Sequence, residues 1–251
     1  MGDFIAVIPA RYRSSRLPGK PLAEIGGLPM VVHVAKQARA SGAAEVWIAT
    51  DHEEIASSVE RHGFRARMTS PHHASGTDRI AEMAADWPSG TIVVNVQGDE
   101  PLIDPELISE VARKLADDPE IEAATACSPI LDWSEMKNPN IVKVVLDRKE
   151  HALYFSRAEI PFARDAEKGG TLPEGFPAFR HIGIYAYRAG FLKTYAALPH
   201  APIEKLEALE QLRLLWNGYR IGVIQTNTPH PGVDTREDLE RVRSFFMEEK
   251  R

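Results

Sequence analysis

Cysteine is almost missing from this chain: Cys127 is the single one in 251 residues. A lone thiol forms no internal disulfide, so a disulfide-stapled secreted fold is excluded and a reducing compartment is expected. Long apolar runs are missing as well. No stretch approaches the ~18 residues that a membrane-spanning helix needs. The amino terminus offers five apolar residues before Pro9 and no basic segment ahead of them, which does not fit a signal peptide. Basic residues are in the minority, 30 Lys and Arg against 36 Asp and Glu, for a net charge of −6. A general nucleic-acid or anionic-membrane binder is usually basic, so any polyanion must meet a local basic patch. We therefore expect a cytoplasmic protein with no nucleic acid partner and no membrane insertion.

Several catalytic signatures are also lacking. A Walker A loop fails because Ser14 replaces its first glycine and Pro21 follows Lys20. No strand is followed by Gly-x-Gly-x-x-Gly, and there is no Gly-x-Ser-x-Gly elbow. Cys127 has no local base, which removes nucleophilic catalysis. His72 and His73 lack the spacing of zinc ligands and read as loop residues, and His33 reads as a helix packing residue.

What is present reads as an α/β fold. Phe4–Ile8, 46–49 and 92–94 are continuous apolar runs, the pattern of parallel strands buried on both faces. Helices are predicted between them, from Pro29 to a stop at Gly42, after Asp51, over Thr77–Trp87 and from Pro105. Such alternation specifies a doubly wound, mostly parallel central sheet flanked by helices. Past residue 128 the pattern turns β-rich, with strands over 140–147, 151–157 and 180–187 and a Gly/Pro-rich loop over 169–177. One continuous helix is predicted over Glu204–Trp216, then a strand over 221–225. A last helix starts at a Thr235/Asp238 capping box. We read one domain, 1–251, in which about 129–190 form a β-rich subregion.

Ligands of open parallel sheets bind beyond the carboxyl ends of the strands. The segment after the first strand carries Arg11, Arg13, Arg16 and Lys20 and no acid, a candidate polyphosphate cradle. Asp99 projects just past the third apolar run, where a carboxylate suits magnesium, and Gly98 lets backbone approach a ligand. Asp234 is the second carboxylate candidate. Ser75–Arg79 offers a turn, a helix start and a cation. Plainer readings stand beside each: a solvated basic loop, a turn aspartate, a helix-start carboxylate and an ordinary cap.

Taken together, Ile8–Leu22 (IPARYRSSRLPGKPL), 49–52 (ATDH), 75–79 (SGTDR), 94–101 (VNVQGDEP), 153–157 (LYFSR), 180–185 (RHIGIY), 209–213 (LEQLR) and 232–235 (GVDT) resemble the family of 3-deoxy-manno-octulosonate cytidylyltransferases. The resemblance spans about residues 4–243. Asp78 departs from it, standing where the family motif has glutamate. The resemblance implies a Rossmann-like nucleotidyltransferase fold, a homodimer whose subregion 129–190 faces sugar and partner, and Mg2+. It implies a cytoplasmic reaction of lipopolysaccharide synthesis in which CTP and 3-deoxy-manno-octulosonate (Kdo) give CMP-Kdo and pyrophosphate. It assigns Lys20, Asp99 and Asp234 to catalysis, the two aspartates as metal ligands. Arg11, Arg16, Lys20, Ser75, Arg79 and Gln97 go to the nucleotide. Arg157, His181, Tyr185, Glu210 and Gln211 go to the sugar. Rival readings are an enzyme for a related acidic sugar, amino-substituted Kdo or a sialic acid, and a silent nucleotide-binding regulator.

Overall fold

The computed structural model describes residues 4–12, 17–73, 75–164, 172, 175–228 and 232–248. Its amino-terminal apolar run is strand β1 (Phe4–Ala10). Phe4, Ala6, Ile8 and Ala10 enter one core and Val7 another, because successive side chains alternate across a strand. Burial on both faces is why the run is continuous rather than alternating.

A 3-10 turn at Lys20–Leu22 and the antiparallel pair β2 (Glu24–Ile25) and β3 (Leu28–Pro29) lead into α1 (Met30–Ala40). There follow β4 (Glu45–Thr50), α2 (Glu53–Arg61), β5 (Arg65–Met68), α3 (Gly76–Ala84), β6 (Ile92–Asn95), α4 (Pro105–Asp117) and β7 (Ala123–Pro129). The second half holds α5 (Trp133–Lys137), β8 (Lys143–Leu146), β9 (Ala152–Ser156), β10 (Phe179–Arg188), α6 (Ala189–Ala197), α7 (Pro202–Glu207), α8 (Leu212–Trp216), β11 (Ile221–Gln225) and α9 (Arg236–Glu248). The main sheet runs β11-β7-β10-β6-β1-β4-β5. Residues of α1, α2 and α4 pack on one face. Those of α3, α6 and α8 pack on the other.

Three differences from the sequence reading bear on the site. First, β10 is not an appendage: it lies antiparallel between β6 and β7, in the middle of the sheet, and only the β8–β9 hairpin branches off it. Secondly, the predicted helix over 204–216 is broken into α7 and α8. Ala208 adopts a left-handed conformation, φ 52°, and Leu206, which leucine spacing assigned to the core, is 87% exposed. Across the break, Arg213 Nη2 lies 2.5 Å from Glu204 Oε1. In a continuous helix these residues would be about 13 Å apart along the axis. Thirdly, strand β7, absent from the sequence reading, is alanine-rich and lacks an apolar run of larger side chains. Most of the expected loop over 169–177 lies outside the described residues.

Candidate active site

The carboxyl ends of β1 and β6 lie side by side at the centre of the sheet, and the loops that follow them build the site. Gly19, at φ 68°, donates its N–H to Tyr12 O and turns the chain into the 3-10 turn that presents Lys20. The Lys20 ammonium lies 2.6 Å from Asp99 Oδ2 and 3.5 Å from Asp234 Oδ1, and it donates to Val233 O at 2.8 Å. Asp234 reaches this point from across the sequence because Val233 N–H donates to Asp99 O. The Thr235/Asp238 capping box then starts α9, with each residue accepting from the other's backbone N–H. Three distant residues thus meet at one point of alternating charge.

Two carboxylates converging on the Lys20 ammonium form a donor set that fits Mg2+. That ion is commonly held by one or two carboxylates together with substrate phosphates rather than by a full protein cage. No group of three or more His, Cys, Asp or Glu side chains placed to hold a metal ion occurs among the described residues. Next to Asp99, burial and then the Asp99 charge push the Glu100 carboxyl up to about 8. The role foreseen for Gly98 changes: a Cβ there would sit 2.9 Å from Pro9 O, so glycine permits two loops, not a loop and a ligand, to touch.

A cavity of about 510 Å³ opens beside this charge centre. Its walls include Gln97, Arg157, His181, Tyr185, Glu210 and Gln211, all named from the sequence. The break at Ala208 is what turns Glu210 and Gln211 toward it. Thr77 Oγ1 donates to Glu210 Oε2 at 3.4 Å, and burial, then the Asp78 charge, raise the Glu210 pKa. Gln97 Nε2 donates to Gly183 O, within the bulge of β10. Arg157 spends its guanidinium on backbone, donating to Glu207 O at 2.8 Å and Pro139 O at 3.0 Å. His181 Nε2 lies 2.9 Å from the Tyr185 hydroxyl and 3.1 Å from that of Thr125. Burial pushes the His181 pKa to about 3, so this ring is neutral.

A neutral His181 has a pH signature. Unfolded histidine takes up its proton near 6.5 and the native ring does not, so stability is lost as pH falls from 6.5 toward 3. The loss from this group is expected to reach about 2 kcal/mol at pH 5. Urea midpoints of wild type and His181→Gln at pH 7 and pH 5 check this. The drop between the two pH values should be smaller in the variant, and equal drops would show that His181 does not contribute.

Two residues assigned to the nucleotide hold protein partners in this structure. Arg79 has no exposed surface: it donates to Thr69 Oγ1 and, at 3.0 Å, to Asp51 Oδ2. Through these contacts Arg79 braces the wall behind the site, and its Nε has no hydrogen-bond partner. Ser75 is likewise buried and caps α3, its hydroxyl accepting from Asp78 N–H at 3.0 Å while Asp78 accepts from Ser75 N–H. Asp78 in place of glutamate therefore still closes the capping box. Arg11 follows β1 and is half-buried. Arg13 and Arg16 lie outside the described residues. The sequence reading passed over Thr77, Asn95, Glu100, Tyr187 and Tyr195, although Asn95 and Glu100 stand inside the 94–101 motif that was singled out. Cys127 is buried and its thiol is pushed up to about 12, unsuited to a nucleophile.

Residues 5–221 match the model of a family described as cytidylyltransferase. The chain belongs to that family. A solved structure of CMP:2-keto-3-deoxy-manno-octonic acid synthetase complexed with CTP is 43% identical, with 99% of this chain and 100% of that one covered and a TM-score of 0.90. A cytidylyltransferase from Leptospira borgpetersenii serovar Hardjo-bovis (strain JB197) shares the fold at 18% identity, TM-score 0.62, covering 99% of this chain and 88% of that one. A 4-diphosphocytidyl-2C-methyl-D-erythritol synthase does so at 14%, TM-score 0.64, covering 98% and 99%. The last two relate to this cytidylyltransferase by fold alone. No helix among the described residues is long and apolar enough to cross a membrane.

Proposed function

We propose that this cytidylyltransferase activates Kdo with CTP, giving CMP-Kdo and pyrophosphate, in the cytoplasm and for lipopolysaccharide synthesis. The observation that carries the reading is the meeting of Lys20, Asp99 and Asp234 at the edge of a polar cavity lined by Gln97, Arg157, Tyr185, Glu210 and Gln211. Full-length likeness at 43% identity to a CMP-Kdo-type synthetase with CTP bound supports it. Exposed Leu131, Leu153 and Phe162 in the 129–190 subregion support pairing as a homodimer.

The chemistry then follows from charge. Asp99 and Asp234 would hold Mg2+, which offsets repulsion between the nucleotide and an acidic sugar and acidifies a coordinated hydroxyl. Lys20 and Arg11, with Arg16 between them in the sequence, bind the triphosphate. The sugar 2-hydroxyl gives up its proton to solvent as its oxygen attacks the α-phosphorus, and the bond from that phosphorus to the bridging oxygen of the β-phosphate breaks. Pyrophosphate leaves with its charge on Lys20 and the arginines. Glu210, Gln211, Tyr185 and Arg157 orient the sugar. Glu210 cannot attract a carboxylate, so it accepts hydrogen bonds from hydroxyls.

Pyrophosphate release with CTP, Mg2+ and a panel of acidic sugars tests the reading. Kdo should be the preferred substrate. Preference for an amino-substituted Kdo or a sialic acid, or no release with any, overturns it. Glu210→Ala should raise the KM for Kdo about tenfold or more and leave that for CTP almost unchanged. A defect on the CTP side would remove Glu210 from the sugar site.

A further inference from the structure

Asn95 ends β6, in the middle of the sheet, and is 3% exposed. Tyr185 of β10 is its direct partner in the antiparallel ladder, and directly opposed residues share one face. That face is the cavity wall, which both side chains line. The Asn95 carboxamide oxygen is buried and accepts no hydrogen bond. Gln211, buried on the opposite wall after the break at Ala208, has a carboxamide nitrogen that likewise donates to nothing.

Buried polar atoms without partners are few in folded proteins, because each forgoes its hydrogen bond with water. Here two of them, one acceptor and one donor, line the same cavity from separate elements. A carboxylate cannot donate to the first, and a metal ion cannot accept from the second. A hydroxyl group both donates and accepts. Tyr185, Tyr187 and His181 stand uncharged around them, and of the charged groups that line the cavity Glu210, next to Gln211, can only accept from a hydroxyl.

We infer that Asn95 is a specificity-determining residue of the sugar site, its carboxamide oxygen taking a hydrogen bond from a sugar hydroxyl while Gln211 donates to the same hydroxyl group or its neighbour. This rests on the sugar-acid reading above. It adds a residue of β6 to a set otherwise drawn from β10, from Arg157 just after β9 and from the segment between α7 and α8.

The test is steady-state kinetics with saturating CTP, using Kdo and a set of its monodeoxy analogues. Wild type should use one analogue with kcat/KM about tenfold or more below that for Kdo, because a site built to bond a hydroxyl rejects the compound lacking it. Asn95→Ala should bring Kdo down to that level with no further loss for that analogue, and with the KM for CTP unchanged within about twofold. Asn95→Ser, which keeps an acceptor oxygen on a shorter arm, should fall between. If wild type treats every monodeoxy analogue within about twofold of Kdo, the inference fails, and that measurement needs no variant to fold. It fails equally if Asn95→Ala keeps the wild-type discrimination. Should wild type release no pyrophosphate with Kdo itself, the proposed activity falls, and this assignment with it.

Discussion

Asp99→Asn and Asp234→Asn are each expected to lower turnover about a hundredfold or more, with the fold intact. Each substitution removes a charged oxygen and almost no volume. Neither strands a buried charge, since both aspartates are partly exposed and Lys20 keeps Val233 O and the remaining carboxylate as partners. The pair acts as a unit, so the double variant should be scarcely worse than either single one. Pyrophosphate release across a magnesium titration, beside a thermal melt, provides the check. Near-wild-type turnover at saturating magnesium in either variant would remove that residue from the metal site. An unfolded variant would instead assign the carboxylates to architecture.

Arg213→Met should be the most destabilising change away from the charge centre. The Arg213 and Glu204 side chains are 4% and 7% exposed, and Arg213 donates through Nε and Nη2 to the same carboxylate. Burial alone would raise the Glu204 pKa, yet hydrogen bonds from Arg213, His200 and Ala201 N–H hold it below the usual range. Their contribution is therefore present at neutral pH and is lost as pH falls through that depressed value. Removing only the cation leaves a buried carboxylate unpaired, at a cost of about 3–5 kcal/mol, or a melting point lower by roughly 6–20 °C. Because the pair spans the break that carries Glu210 and Gln211, the KM for the sugar should rise as well. The double variant Glu204→Leu with Arg213→Met should recover most of the stability, since buried ion pairs can be replaced by apolar groups of similar volume. Loss of under about 1 kcal/mol in Arg213→Met would show that packing, not this pair, holds the break.

Much of the site was legible in the chain because its parts are contiguous and chemically extreme. A basic loop after an apolar strand, an aspartate just past another strand and a capping box at Thr235 are each written within a few residues. The observed strands β1, β4 and β6 and helices α1 to α4 follow that reading closely. Arg79 shows what a motif alone leaves out. Within the SGTDR motif its charge argued for a ligand, but Asp51 and Thr69, which meet it through the fold, decide where that charge goes. Ser75 shows the same in milder form, its hydroxyl already engaged by the helix it starts.

Local sequence sufficed wherever a short segment carries its own physical instruction. Period-specific burial selects strand or helix, a cap ends a helix, and clustered like charge attracts an opposite charge. Tertiary structure decided whatever depends on partners far away in the chain. The leucine spacing over 206–215 is honestly helical, but the buried Arg213–Glu204 pair and left-handed Ala208 fold it in two. Strand β10 carries no mark of its direction, and its place between β6 and β7 emerges only when their unpaired backbone groups need satisfying. The convergence of Asp99 and Asp234 on Lys20 spans more than 200 residues, and no local rule contains it; it exists because one backbone hydrogen bond, Val233 N–H to Asp99 O, ties the two loops together.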